Sequence, residues 1–258
     1  MRRLLIEEPY SAAALWSRRL AVFSAAVCVI SVVLARSHAV DFSAVMAVFA
    51  AALLVACCSV LLASTAAVVI WRTGRRGVGV LVIAVLTAAL VLGYPTYLLA
   101  QAARLPQLND ISTDLVDPPH FSRSGRALAA RDDHVYGKIR ESMLVAQQRA
   151  YPDVQPMVLD LNAKQTWRLV KRAALASGWR IVDAVPPGGR MGLGHLDATA
   201  LSTIMGFPDD ITVRIEPLAG QTRVDVRSAS RFGRHDFGSN ARRIERFSSA
   251  LQAQLDAE

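Results

Sequence analysis

Cysteine is scarce in this chain of 258 residues: three occur, and none lies beyond Cys58. Everything after that point therefore holds no disulfide and no thiolate metal site. Cys28, Cys57 and Cys58 fall inside apolar runs, and the adjacent pair points in directions roughly 100° apart on a helix. They read as small hydrophobes, not as a redox couple. Acidic residues are nearly missing from the first hundred positions, which carry three Asp or Glu against eight Arg. Of the net charge of +8, +5 lies there and only +3 in the remainder. A nucleic-acid binder clusters its positive charge on a folded face, so no nucleic-acid partner is implied. Nucleophile-elbow, His-Glu-x-x-His and P-loop patterns are all missing. His120, His134, His195 and His235 show no metal-ligand spacing. No metal or other cofactor is implied.

Long apolar runs are abundant. Leu20–Ala35, extended back through Leu15 and Trp16, Phe42–Trp71 and Val78–Ala100 each reach or approach the roughly 20 residues that cross a bilayer. Leu20–Ala35, Phe42–Trp71 and Val78–Ala100 contain no Asp, Glu, Lys, Arg or His, which argues for an anchor over a transporter or channel. Pro95 is expected to kink or end the third helix. Arg2, Arg3, Arg18 and Arg19 precede the first run, and Arg72, Arg75 and Arg76 lie between the second and third. By the positive-inside rule the N-terminus is cytoplasmic and everything after Ala100 is outside. Cleavage of the first run as a signal sequence near "VLARSHA" is the alternative; it leaves the later residues on the same side. The implied location is a bacterial inner membrane, with a periplasmic C-terminal domain and the lipid bilayer as one partner.

The expected organisation is a membrane anchor over 1–100 with helices at about 15–35, 42–71 and 78–100. An extended linker follows over 101–150, with a short helix between Tyr136 and Arg149. An α+β domain covers 151–258. Met157–Leu161 reads as a strand. Asn162 with Gln165 forms a capping box ahead of a helix with Trp167, Val170, Ala174 and Leu175 on one side, ended by Gly178. "WRIVDAV" reads as a strand, "PPGGRMGLG" as a strand-to-strand turn, and His195–Ile204 as another strand.

The clearest hairpin joins Asp210–Glu216 to Arg223–Arg227 about a turn at Ala219-Gly220. Residues whose numbers sum to 439 should pair, placing Arg214 opposite Asp225 and Glu216 opposite Arg223. A final helix from Ser239 buries Ala241, Ile244, Phe247, Leu251 and Leu255. The order β-α-β-β-β-β-α gives an antiparallel sheet with helices on one face, behind a three-helix transmembrane segment.

"LNDISTD", "AYPDVQP", "GFPDDITVRI" and "TRVDVRSASRFGRHDFGSNARRI" resemble the domain-of-unknown-function family 1499, over roughly Leu105–Leu251. The resemblance implies a bacterial membrane or secreted protein with relatives in plastids, and no established activity. The sequence departs from that pattern in "GGRMGLGHLDATALSTIMGF".

Two uses of the polar residues remain open beside a structural ion-pair ladder. Arg227 and Arg231, near a helix start, suit a carboxylate or phosphate. The wider candidate ligand set is Arg214, Arg223, Asp225, Arg227, Ser228, Ser230, Arg231, Asp236, Asn240 and Arg243. Asp209 and Asp210 are candidates for a hydrolase's acid/base pair, which requires a bend at Phe207-Pro208, since strand neighbours face opposite ways. The favoured reading is a non-enzymatic module that meets an envelope protein, or an anionic lipid or metabolite. Asp236 or Ser239 is expected to cap the last helix.

Overall fold

A computed structural model describes residues 9–188 and 192–256, which divide into two compact units, Met1–Ala100 and Gln101–Glu258. Arg2 and Arg3, and Gly189, Arg190 and Met191 of the glycine-rich turn, lie outside the described residues.

Three helices open the chain: α1 (Ala12–Ser37), α2 (Phe42–Thr73) and α3 (Val78–Arg104). All three are long and apolar enough to cross a membrane. Small residues mark their contacts, because close backbone approach replaces the hydrophobic effect between helices in lipid. Ser17 Oγ donates to the Ser59 carbonyl at 3.0 Å, and Ser59 Oγ returns a bond to the Ser17 carbonyl at 2.9 Å. Ala21 of α1 packs with Ala84 and Ala88 of α3. Pro95 does not end α3, which runs on to Arg104. The residues after it, "TYLLAQAAR", include good helix formers, and in lipid an unmade backbone bond is costly on either side of the break. Cys57 and Cys58 are free thiols on the outer surface of α2, not packed inside the protein.

The second unit is built on one antiparallel sheet. Its strands are β1 (Asp110–Ser112), β2 (Met157–Leu159), β3 (Arg180–Val185), β4 (Gly194–Leu201), β5 (Pro208–Pro217) and β6 (Thr222–Ser230). The spatial order is β1-β6-β5-β4-β3, with β2 beside β1 along the same edge of β6. Between and after them lie α4 (Gly125–Ala130), α5 (Glu141–Ala150), α6 (Ala163–Ala176) and α7 (Ser239–Leu255). From β2 onward this is the expected order. The hairpin register is also the expected one: Arg214 faces Asp225, Ile215 faces Val224 and Glu216 faces Arg223. β4 stops at Leu201, three residues short of the expected end, because Ser202–Phe207 closes a turn through Ser202 N–H and the Phe207 carbonyl at 2.8 Å.

α6 starts on the Asn162–Gln165 capping box, and Gly178 at φ +75° follows its end. Leu175 faces outward and is exposed, whereas Leu169, Val170, Ala173 and Ala174 supply the buried stripe. α6 and α7 cover one face of the sheet. Ile211, Val213, Ile215, Val224 and Val226 meet Ile244, Phe247 and Leu251 there, and Trp179 stacks on Phe247 at 4.7 Å between ring centres.

The opposite face is not a solvated surface. Residues 105–137, expected as part of an extended linker, supply β1 and α4 and lie across the sheet. Phe121 and Ala127 are buried there, whereas Leu108 and Ile111 of the same segment join the helical-side core, and Gln147 of α5 exchanges hydrogen bonds with the Ser112 backbone. The segment lacks a hydrophobic period because its anchors are mostly carboxylates and carbonyls that answer arginines elsewhere.

Candidate functional site

Strand alternation sends neighbouring residues to opposite faces, and it splits the candidate site residues into two groups. Asp209, Ser228 and Ser230 face the helices, together with Asn240 and Arg243 of α7 and Asp236 before it. Asp210, Arg214, Arg223, Asp225, Arg227 and Arg231 belong to the other face. The sheet stands between the groups, so they form no single site.

On the helical side, Asn240 is the centre. Its Nδ2 donates to Ser230 Oγ at 3.0 Å and to the Asn109 carbonyl at 3.2 Å, while Ser228 Oγ donates to Asn240 Oδ1 at 2.8 Å. Arg243 Nη1 donates to Ser228 Oγ at 2.9 Å, and Arg243 Nη2 pairs with Asp209. Burial pushes the Asp209 carboxyl up, against the pull of Arg243. Asp236 accepts the N–H groups of Gly238 and Asn240, each at 2.9 Å. Its carboxylate thus occupies the start of α7, although the N-cap position itself is Gly238, in a left-handed conformation, and not the expected Asp236 or Ser239. An external anion there would compete with the protein's own.

On the other side every candidate arginine is engaged internally. Arg227 is 2% exposed. It forks onto Asp110 and also donates to the carbonyls of Pro119 at 3.2 Å and Gly137 at 2.9 Å, with Phe121 under its guanidinium at 5.2 Å. Arg231 forks onto Asp210 with both bonds at 2.8 Å, and reaches the Ala130 carbonyl and Asp132. Asp210, 1% exposed, also accepts the Tyr136 hydroxyl at 2.7 Å. Burial, with the Asp210 charge behind it, pushes the Tyr136 phenol up and keeps it a donor.

Arg214 grips Asp225, Asp114 and Asp117, and Arg223 reaches Asp225 and Asp114. Burial pushes Asp114 up, but the N–H groups of Asp117 and Val116 and the guanidiniums of Arg223 and Arg214 together hold it below its usual range. The excess arginine of the ladder is answered by Asp110, Asp114, Asp117 and Asp132, all from the covering segment.

A further cluster was not identifiable from sequence. Asp183 and Asp197 are cross-strand partners, a like-charge pairing that would repel. Arg131 Nη1 at 2.7 Å, the Ser122 N–H at 2.9 Å and His195 Nε2 at 2.8 Å all meet Asp197. Ser122 Oγ and Ser124 Oγ each donate to Asp183 at 2.7 Å. Ser122 therefore bridges both carboxylates and clips the start of α4 to the sheet. No spacing rule joins residues 122, 131, 183 and 197; only the β3–β4 pairing does.

Asp209 and Asp210 lie on opposite faces, each locked by its own arginine, and the bend that would unite them is not made. Among the described residues no cluster of His, Cys, Asp or Glu has metal-site geometry. A shallow cavity of about 200 Å³ lies between β2 and α7, lined by Met157, Val158, Leu159, Ser248, Leu251 and Gln252. None of the candidate carboxylates or arginines borders it.

Among known families, the model described as protein of unknown function (DUF1499) matches residues 110–251. No curated protein matches the chain. The matched span takes in both polar networks and the covering segment.

Proposed function

Since the chain belongs to the DUF1499 family, whose description assigns no activity, we propose that it is a membrane-anchored, non-enzymatic interaction module. The anchor holds it in a bacterial inner membrane with the α+β domain on the periplasmic side, where it meets an envelope protein. The observation that carries this reading is the closure of both polar networks. A catalytic carboxylate needs access to substrate and a concave site, and an anion-binding arginine needs free donors. Asp209, Asp210, Arg227 and Arg231 are each committed to partners within the fold. This disfavours both a hydrolase centred on Asp209 and Asp210 and a small anionic ligand on the arginine face. The basic flanks support this side of the membrane: Arg18 and Arg19 before the first span and Arg72, Arg75 and Arg76 between the second and third share one side, against Arg36 with Asp41 in the first loop.

The test has two parts. In a cysteine-free background, an Ala219→Cys chain in intact cells should react with a membrane-impermeant thiol reagent; protection until lysis would overturn the placement. Photo-crosslinkers at exposed domain positions in the full chain should trap one discrete envelope protein. Hydrolysis of ester or phosphoester substrates that disappears in a folded Asp210→Asn chain would overturn the non-enzymatic reading.

A further inference from the structure

One end of the sheet gathers apolar loop residues where polar ones are expected. The pairings Leu201 with Pro208, Asp209 with Ser230 and Asp110 with Ala229 bring three segments to this end: the 202–207 turn, the 231–238 loop and residues 105–109. The turn and loop carry Ile204, Met205, Phe207, Phe232 and Phe237. Phe232 is 41% exposed, and Leu201 just below is 57% exposed. Phe207 and Phe232 meet edge to face at 5.9 Å, so the aromatic pair projects as a unit. Arg234, two residues further along the loop, is exposed.

The backbone of this loop is held firmly. Gly233, Phe237 and Gly238 all take left-handed conformations, and the Phe237 N–H donates to His235 Nδ1 at 2.9 Å. A preset loop presents its side chains without the ordering cost that a mobile one would incur on binding.

The place of this end in the chain bears on what it can meet. α3 ends at Arg104, and Leu105 follows immediately. Leu105 packs against the loop so closely that a β-carbon on Gly238 would lie 3.0 Å from it. The Asp236 N–H donates to the Leu108 carbonyl at 2.8 Å, and Asn109 Nδ2 donates to the Gly233 carbonyl at 3.0 Å. The apolar loop is therefore fastened to the first residues after a helix apolar enough to span a bilayer. A few residues of chain cannot carry it far from the membrane surface.

Aromatic and aliphatic side chains flanked by arginine suit the boundary between headgroups and acyl chains, with the guanidinium at the phosphates. We propose that this end of the domain seats on the bilayer, with Ile204, Met205 and Phe232 entering the headgroup–acyl boundary and Arg234 at the lipid phosphates. The inference needs only the anchor and the fold; it stands or falls apart from the absence of catalysis.

The experiment uses the full chain reconstituted in lipid bilayers, in a Cys28→Ala, Cys57→Ala, Cys58→Ala background. A nitroxide is placed through Phe232→Cys, through Met205→Cys, or through Ala219→Cys at the opposite end of the sheet. Collisions with dissolved oxygen and with a water-soluble nickel chelate report depth. At positions 205 and 232 the oxygen-to-nickel ratio should be several-fold higher than at 219. Equal ratios at the three positions would overturn the proposal. Shielding of 205 and 232 from both reagents would overturn it too, since a protein partner would then cover that end. The two labelled loop positions lie on separate segments, so loosening of one by its substitution leaves the other as a reading.

Discussion

Arg227 and Asp110, separated by 117 residues in the chain, are joined by two parallel hydrogen bonds, Nε to Oδ1 at 3.0 Å and Nη2 to Oδ2 at 2.7 Å. The pair ties the first strand after the anchor to the last strand of the sheet. Removing one member leaves a buried charge without compensation. Arg227→Ala should therefore cost about 3–5 kcal/mol, whereas Arg227→Met with Asp110→Leu should cost clearly less. Urea unfolding of the detergent-solubilised chain, followed by domain tryptophan fluorescence, measures both. An equal loss in the single and paired variants would show that the pair is not coupled.

The clip at Ser122 should behave as a local fastener. Asp197→Ala strands Arg131, which is 2% exposed, and should release residues 119–137 before the helical face loosens. Hydrogen exchange resolved by peptide should show faster exchange across that segment, with α7 unchanged. Uniform acceleration through the whole domain would mean that the covering segment and the sheet unfold as one.

Acid should weaken the fold through the covered face. Asp114 titrates below its usual value of 3.8, so the folded state releases its proton more readily than the unfolded chain. The stability it lends is complete above that usual value and is lost as pH falls through the lower folded value. Asp183, held down by the hydroxyls of Ser124 and Ser122 and the Ala184 N–H against the opposing effect of burial, acts in the same direction. Asp209 has the opposite sign: burial raises it, so its ionisation costs stability as pH rises through its higher folded value. Asp114→Asn should therefore flatten the acid limb of the unfolding midpoint against pH, and Asp209→Asn should steepen it.

Two glycines with similar backbone should differ in cost. Gly238 at φ +76° and Gly220 at φ +80° both disfavour a side chain, by about 1 kcal/mol. A β-carbon at Gly238 would also meet Arg242, Leu105 and Tyr151 within 3.2 Å, whereas Gly220 has nothing within 4 Å. Gly238→Ala should thus lower the melting temperature more than Gly220→Ala. Equal shifts would remove the packing of Leu105 on this loop as a constraint.

Local pattern alone determined much of the molecule. Uninterrupted apolar runs specified three long helices because a bilayer-length segment has one dominant property. The 439 register followed from a two-residue side-chain period and a glycine turn, since any slip would send Val224 and Val226 to the polar face. The Asn162–Gln165 box and the α7 stripe were legible for the same reason: their partners lie within four residues in sequence.

Tertiary structure decided what the polar residues do. Asp110, Asp114, Asp117 and Ser122 sit in a stretch without period, and their meaning comes from arginines and carboxylates about 60 to 120 positions away. The arginines look surplus when only the hairpin is counted, and become fully satisfied once the covering segment lies across it. The strand period predicts opposite faces for Asp209 and Asp210, but only the packed sheet shows each face closed by a different arginine. Hydrophobic periodicity is a property of one segment, whereas charge satisfaction belongs to the whole fold. That is why the architecture was readable and the closure of the candidate site was not.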